Sequence, residues 1–343
     1  MPHQPEVSVL MAAYNAESYI STAIESIRAQ TLTNWQLIIC NDASTDGTVA
    51  QCRRAAASDP RIRLVTHDTN RGQAAARNTA FRAARADYVA IMDDDDSSHP
   101  DRLRRQLRCA RQHPNELIST GYTFLRDTAA GACDLYLPRE LTNAGLWVTC
   151  ALCGPSLMMH RDIYVDLDGY DENHRELEDI DLIVRANVNG CSVRIVAGNL
   201  YRYRVHAESI NGQDRRGVFR RLNGYFSRLW NAHLNTDTSR NDLFVRAMAG
   251  LRSSDWPLGM THQARRKAAS IAALLAIRFA AMGDREPARQ LLREALRICW
   301  WRVDAAITRL TIPFGIGIQL TGLGDRVIPH LVVRRRDKIW AMI

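Results

Sequence analysis

The chain has 343 residues, of which 46% are hydrophobic and 24% charged. That composition excludes a disordered chain or a repeat array, and the length accommodates one large domain plus an extension. The formal charge of +8 is unevenly spread. Residues 1–214 carry 22 Lys+Arg against 28 Asp+Glu, whereas residues 215–343 carry 23 against 9. The two parts are therefore expected to meet different partners.

In chain order, Val7 to Ala13 is an apolar run that reads as a first strand. Ser18 stands where it can cap a helix to about Ala29, with Ile20, Ala23, Ile24 and Ile27 on one face. Trp35 to Cys40 is a second strand. Asn41-Asp42-Ala-Ser-Thr-Asp46-Gly47-Thr48 follows, rich in turn and cap residues. A helix is expected from about Thr48 to Ala57, a strand over Ile62 to Thr66, and an Ala-rich helix from Asn70-Arg71-Gly72 to about Arg85. Tyr88 to Met92 is another buried strand, and it runs straight into Asp93-Asp94-Asp95-Asp96. Pro100 suits the first turn of a helix that reaches about Gln112. Strands alternating with helices at this spacing predict a mostly parallel α/β sheet with helices on both faces. Neither GxGxxG nor GxxxxGK[ST] is present.

Farther along, strands are expected at Glu116–Phe124, Ser156–His160, Val193–Val196 and Leu200–Val205, and a helix at Glu178–Asn189 ending at Gly190. From about 215 onward the sequence reads as basic helices: 216–235, 241–252, 263–282 and 285–301. The uncharged run Leu310 to Gly324 is too short and Gly-rich to span a bilayer. Trp300, Trp301, Trp340 and Arg334-Arg335-Arg336 nearby suit an anionic membrane surface as well as they suit a solvated basic tail. Cys150 and Cys153 form a lone CxxC without the second pair a zinc site wants. Met1-Pro-His-Gln-Pro-Glu6 lacks a basic segment followed by an apolar one, so a cytoplasmic location is expected, with peripheral contact to the inner membrane face.

Four consecutive carboxylates at the end of a buried strand repel one another. They are tolerable where a hard divalent cation sits among them, and ligands bind at the carboxyl ends of strands in such sheets. The competing reading is a solvated acidic turn.

Read together, Val7-Ser-Val-Leu-Met-Ala-Ala-Tyr-Asn15, Asn41-Asp42-Ala-Ser-Thr-Asp-Gly-Thr48, Asn70-Arg71-Gly72, Met92-Asp-Asp-Asp-Asp96 and Glu178-Asp179-Ile-Asp-Leu182 resemble the inverting glycosyltransferases of family 2. The resemblance covers roughly residues 6–210. It implies a GT-A fold over 1–214, with a nucleotide half at about 6–114 and an acceptor half at about 115–214, followed by the helical extension 215–343. It further implies a metal-dependent transfer of one sugar from a nucleotide-diphosphate donor, UDP being the expected nucleotide, to a hydroxyl of a glycan or lipid-linked acceptor in cell-surface polysaccharide synthesis. The Gln-x-x-Arg-Trp block of processive family members is missing, which points to single-sugar transfer.

Carried over residue by residue, Asp42 would accept the N3–H of uracil. Tyr14 would stack on or line the base pocket, with room left by Ala12 and Ala13. Arg71 would pair with phosphate or with Asp42, and Asp46 would cap the next helix. Asp95 is the expected metal ligand and Asp93 a ribose or metal contact. Asp94 replaces the family's usual small residue and leaves the ligand set open. His206 would add a metal or diphosphate contact, the ion being Mn²⁺ or Mg²⁺. Asp179 is the expected general base, with Glu178 and Asp181 as rivals. Trp147 and Gly154-Pro155-Ser156 would face the acceptor. Two other classes compete. A nucleotidyltransferase would carry a Gly-rich, Lys-containing loop where this chain has Ala12-Ala13-Tyr14. A nucleic-acid-binding protein would use the basic tail, but no zinc-finger or RRM-like pattern supports it, and no nucleic acid is expected.

Overall fold

The computed structural model describes residues 4–126, 133–135, 140–141, 153–173, 177–206, 272 and 286–294. The first half alternates strand and helix: β1 (Val7–Ala13), α1 (Ile20–Arg28), β2 (Trp35–Asn41), α2 (Thr48–Ser58), β3 (Ile62–Thr66), α3 (Gln73–Ala83) and β4 (Tyr88–Asp93). The short β5 (Ser97–Ser98) and α4 (Arg102–Gln112) follow. The second half holds β6 (Glu116–Arg126), β7 (Cys133–Leu135), β8 (Glu140–Leu141), β9 (Met158–His160), α5 (Arg161–Asp166), α6 (Glu178–Val188) and β10 (Ser192–Val205). The ten strands among the described residues belong to one sheet, in the order β3-β2-β1-β4-β9-β6-β10-β5, with β7 beside β6 and β8 beside β10.

β1, β2, β3 and β4 are parallel, whereas β9 runs antiparallel to both β4 and β6. The chain leaves β1 toward β2 and β3, then returns to β4 on its other side. A crevice therefore opens at the carboxyl ends of β1, β2 and β4. Register places Ala13 beside Asn41 and Ala12 beside Asp93 at that edge.

Every residue of β1 is buried, because helices cover both faces. Val7, Val9 and Met11 pack with Ile20, Ala23, Ile24 and Ile27 of α1 and Leu103 and Leu107 of α4. Leu10 and Ala12 pack on the other side with Ala74, Ala76 and Ala80 of α3, Tyr164 of α5 and Leu182 of α6. Each fully buried Ile or Leu in these layers contributes roughly 1.5–3 kcal/mol. The run of alanines lets α3 lie close to β1 and β2, which brings the rest of its buried face near the strand ends.

Three local expectations shift. Ser18 does not cap α1: the helix starts at Ile20 after an N-cap at Tyr19 that makes no side-chain cap bond. The chain before it is held instead by the loop after β2, with Ala16 N–H donating to Thr48 Oγ1 (2.8 Å) and Glu17 N–H to Asp46 Oδ2 (3.1 Å). α4 begins at Arg102 rather than at Pro100. The two strands expected at 193–196 and 200–205 are one strand, β10, whose pairing with β6 shifts between Val196 and Tyr201. Gly198 has φ +99° within that irregularity, a conformation that costs glycine little. Trp147 and Cys150, and the basic region from 215 onward except residue 272 and the helical stretch 286–294, lie outside the described residues. No described helix is long and apolar enough to cross a membrane.

Candidate active site

The loops after β1 and β2 are laced together at the crevice. Asn15 N–H donates to Ser44 Oγ (3.1 Å), Thr45 N–H to Asn15 Oδ1 (2.9 Å) and Gly47 N–H to Glu17 Oε2 (3.0 Å). Asp46 accepts from Thr48 N–H (3.0 Å), but the N-cap of α2 is Gly47, so Asp46 braces the first turn from one residue outside the expected capping position. Asp42 is 2% exposed. Its Oδ1 accepts from Arg71 N–H (2.9 Å) and lies 2.7 Å from His67 Nδ1, while its Oδ2 accepts from Gly72 N–H (2.7 Å). Gly72 has φ +91°, which suits glycine and turns its N–H onto the carboxylate. Of the two partners expected for the Arg71 side chain, phosphate or Asp42, the second is corrected. Arg71 reaches Asp42 through its backbone, and its guanidinium pairs with Glu172 at 3.2 Å. Tyr14, 48% exposed, is one of the large hydrophobic side chains left open to solvent at this edge.

Beside it, β4 delivers the acidic run. Asp93, Asp95 and Asp96 offer oxygens that all lie within 4.8 Å of one another. Asp94 turns aside, accepting from Tyr14 N–H at 2.9 Å, so it ties the β1 and β4 loops together. Asp96 is buried; its Oδ1 accepts from Arg204 N–H (2.7 Å) and its Oδ2 has no hydrogen-bond partner among the described residues. His206, at the end of β10, places Nε2 3.0 Å from Asp95 Oδ2. A buried carboxylate oxygen without a donor, next to two further carboxylates and an imidazole, is a donor set that fits a hard divalent cation.

One residue that the motifs did not single out organises the site. Arg77 of α3 is 0% exposed. It donates from Nη2 to Asp93 Oδ1 and from Nη1 to Asp179 Oδ1 (2.7 Å), and Glu178 is 4.0 Å from Nη1. Its guanidinium also lies over the Tyr170 ring at 5.1 Å. Arg77 thus bridges the acidic run of β4 to the first turn of α6. The sequence held one signal for it: an arginine on the same buried face as Ala74 and Ala80 must find buried charge to pair with.

Asp179 is further fixed by Tyr170, whose hydroxyl donates to Oδ1 at 3.0 Å. Gly154 closes the other side. A Cβ there would fall 2.4 Å from Asp179 Oδ2, so only glycine fits under this carboxylate. Of the rivals, Asp181 is paired with Arg185 at 2.7 Å, and Glu178 is buried 4.0 Å from Arg77.

The titration of these groups follows from the crowding. Burial raises the Asp93 carboxyl to about 6, with Asp179 and Asp95 adding to the rise and Arg77 opposing it. Burial and the neighbouring Asp95 push Asp94 and Asp96 well above the carboxylate range. Glu178 rises to about 7 through burial and Asp179. Burial acts against the charge on Arg77, but Asp179, Tyr170, Asp93 and Glu178 outweigh it and hold the guanidinium protonated. The site carries more negative charge than its own cations balance.

Residues 8–165 match the family described as Glycosyl transferase family 2. Over that stretch, a little under half of its length, the chain is similar to glycosyltransferase family 2. Among curated relatives it is 36% identical over 185 residues to the putative glycosyltransferase EpsE of Bacillus subtilis, covering 53% of this chain and 66% of that protein. It is 30% identical over 157 residues to the UDP-Glc:alpha-D-GlcNAc-diphosphoundecaprenol beta-1,3-glucosyltransferase WfgD of Escherichia coli, covering 46% of this chain and 61% of that protein. The matched stretch thus spans just under two thirds of these relatives' length. Among solved structures, the mannosyltransferase PcManGT from Pyrobaculum calidifontis, in complex with GDP-Man and Mn²⁺, aligns over 90% of this chain and 87% of its own, with a TM-score of 0.57 and 21% identity. That likeness shows the GT-A fold. Within this fold, the Asp-rich run, Asp42 and Tyr14 meet at one crevice, and Arg77 extends it to Asp179.

Proposed function

We propose that the chain is an inverting glycosyltransferase that moves one sugar from a UDP-sugar to a hydroxyl of a lipid-linked or glycan acceptor in cell-surface polysaccharide synthesis. The observation that carries this reading is the fixed placement of one carboxylate, Asp179, against the Asp93–Asp95–Asp96 group through the single buried Arg77. Relatives whose names describe glycosyltransferases, one of them using UDP-Glc and a diphosphoundecaprenol-linked acceptor, support the donor and acceptor classes.

The donor's base sits against Tyr14, with Ala12 and Ala13 leaving room, and its N3–H bonds to Asp42. Asp93, Asp95, Asp96 and His206 would hold Mn²⁺ or Mg²⁺, which would supply positive charge to neutralise the diphosphate as a leaving group. Arg77 and Tyr170 occupy Asp179 Oδ1, so Oδ2 is the oxygen left to take the acceptor's proton. As it does, the acceptor oxygen bonds to the anomeric carbon. The carbon–oxygen bond to the diphosphate breaks, and UDP departs with the electron pair. The basic region 215–343 contacts anionic lipid at the inner membrane face.

Asp179→Asn tests the reading. It should bind UDP with Mn²⁺ as the parent does and lose transfer by about 10²–10⁴-fold, the usual worth of a general base. Calorimetry against UDP, TDP, GDP and CMP, with Mn²⁺ and with EDTA, should show metal-dependent binding. Unchanged turnover in Asp179→Asn would remove the assignment of the base.

A further inference from the structure

We propose that His67 is a specificity-determining residue that leaves the base-reading carboxylate of Asp42 a single free acceptor position. The site then takes a uracil- or thymine-bearing donor and discriminates against guanine and cytosine. The inference rests on the reading above, in which Asp42 meets the donor's base.

An ionised carboxylate has about four acceptor positions, two on each oxygen. Three are taken within the protein. His67 Nδ1 and Arg71 N–H fill Oδ1, and Gly72 N–H takes one position on Oδ2. Only Oδ2 can accept once more. Asp42 is nearly buried, so water does not compete freely for that position. Uracil and thymine present one donor there, N3–H between two carbonyls. Guanine presents two adjacent donors, N1–H and N2–H, which pair best with both oxygens of one carboxylate. With Oδ1 full, one guanine donor stays unpaired. Cytosine offers a lone pair at N3, which faces the carboxylate unfavourably.

His67 is built to act as this donor. Its own N–H is bonded to Asn41 O at 2.9 Å, which fixes the residue beside the end of β2. Nε2 lies 2.9 Å from Thr79 Oγ1, and Arg82 Nη2 donates to that same hydroxyl at 2.8 Å. A guanidinium can only donate, so the Thr79 hydroxyl accepts from Arg82; an ionised carboxylate can only accept, so the ring nitrogen 2.7 Å from Asp42 Oδ1 is the donor of that pair. The imidazole then carries its proton on Nδ1, aimed at Asp42. The two backbone donors at Arg71 and Gly72 persist in any variant. His67 is the donor whose removal would reopen Oδ1.

The test is the affinity of UDP, TDP, GDP and CDP, each with Mn²⁺, for the full chain and for His67→Phe, His67→Asn and Asp42→Ala, with thermal melts as a folding control. The parent should bind UDP and TDP alike and GDP about tenfold more weakly or worse, the effect of one unpaired donor. His67→Phe keeps a ring but frees Oδ1, and should narrow the UDP-to-GDP preference about fivefold. His67→Asn keeps a donor toward Asp42 and should retain the parent's ratio. A merely structural role would weaken every nucleotide alike. Equal binding of UDP and GDP by the parent, or an unchanged ratio in folded His67→Phe, overturns the inference while leaving the Asp42 reading in place. UDP binding in Asp42→Ala that equals the parent's overturns that reading, and the inference with it. Should His67→Phe fail to fold, the parent panel and His67→Asn still decide.

Discussion

Asp42 and Asp96 each follow a buried strand at the same edge of the sheet, and each is almost completely buried at 2% and 1% exposure. Their surroundings differ. Asp42 is met by two backbone N–H groups and an imidazole, so its charge is spread over donors that fold with it. Asp96 shares its corner with Asp93 and Asp95, and one of its oxygens lacks a donor among the described residues. The first carboxylate organises a loop and has one position to spare. The second belongs to a group whose charge exceeds what the protein supplies, which is the condition for recruiting a cation. Burial alone does not separate the two roles; the count of donors does.

The contrast can be broken most severely at Arg77, the only guanidinium that reaches both Asp93 and Asp179 among the described residues. Arg77→Met leaves buried carboxylates uncompensated and should cost about 3–5 kcal/mol in chemical denaturation. A loss under about 1 kcal/mol would mean that the acidic group does not depend on it. Gly154→Ala acts on placement rather than charge. The added methyl displaces the Asp179 carboxylate, and transfer should drop about 100-fold while UDP binding persists, as expected for a reacting group moved by about 1 Å. Steady-state kinetics beside calorimetry would separate the two quantities. Equal losses in both would count against Asp179 as the base.

The same substitution at the two compared carboxylates should give opposite signs. Asp42→Asn turns an acceptor into a donor that faces N–H groups and should destabilise by about 1–3 kcal/mol. Asp96→Asn relieves crowded charge and should leave the metal-free protein as stable as the parent or more so, while weakening Mn²⁺ binding. Two destabilised variants would erase the distinction drawn between the strand ends.

The smallest effect concerns a satisfied carboxylate away from the site. Asp59 is bound by Arg61, whose Nη2 is 2.8 Å away and whose guanidinium stacks on Trp35 at 3.8 Å. The side-chain bonds from Arg61 hold the Asp59 carboxyl below its usual range in spite of partial burial. A depressed folded value means that its stabilisation is present above the unfolded pKa of about 4 and fades as pH falls through the folded value. Asp59→Asn should therefore cost about 1 kcal/mol at pH 7 and nothing near pH 2. Urea midpoints at the two pH values would show it, and a pH-independent cost would refute the ionic origin.

Much of the fold was legible because it is local. β1, β2 and β4 are apolar runs bounded by turn residues, and α1 shows its buried face as Ile20, Ala23, Ile24 and Ile27. The acidic run was legible because its members are contiguous. Boundaries were read less well. The start of α1 was misplaced because Ser18 looks like a cap, yet the preceding backbone is claimed by Thr48 and Asp46, about thirty residues away in sequence. Of the two partners expected for the Arg71 side chain, phosphate or Asp42, the second is met by its backbone instead.

By itself, then, the sequence determined the alternation of strands and helices, the parallel strands of the first half and the carboxylates at their edge, since hydrophobic period and turn chemistry act over a few residues. The tertiary structure alone decided which carboxylates cluster, that Asp94 bonds to Tyr14, and that Arg77 joins Asp93 to Asp179, which lies 102 residues beyond Arg77 in the chain. It likewise decided that Gly154 lies under Asp179 and that His67 faces Asp42. Those pairings depend on how strands stack in the sheet and how closely helices pack on it. Distance in space, unlike periodicity, leaves no trace in the order of residues.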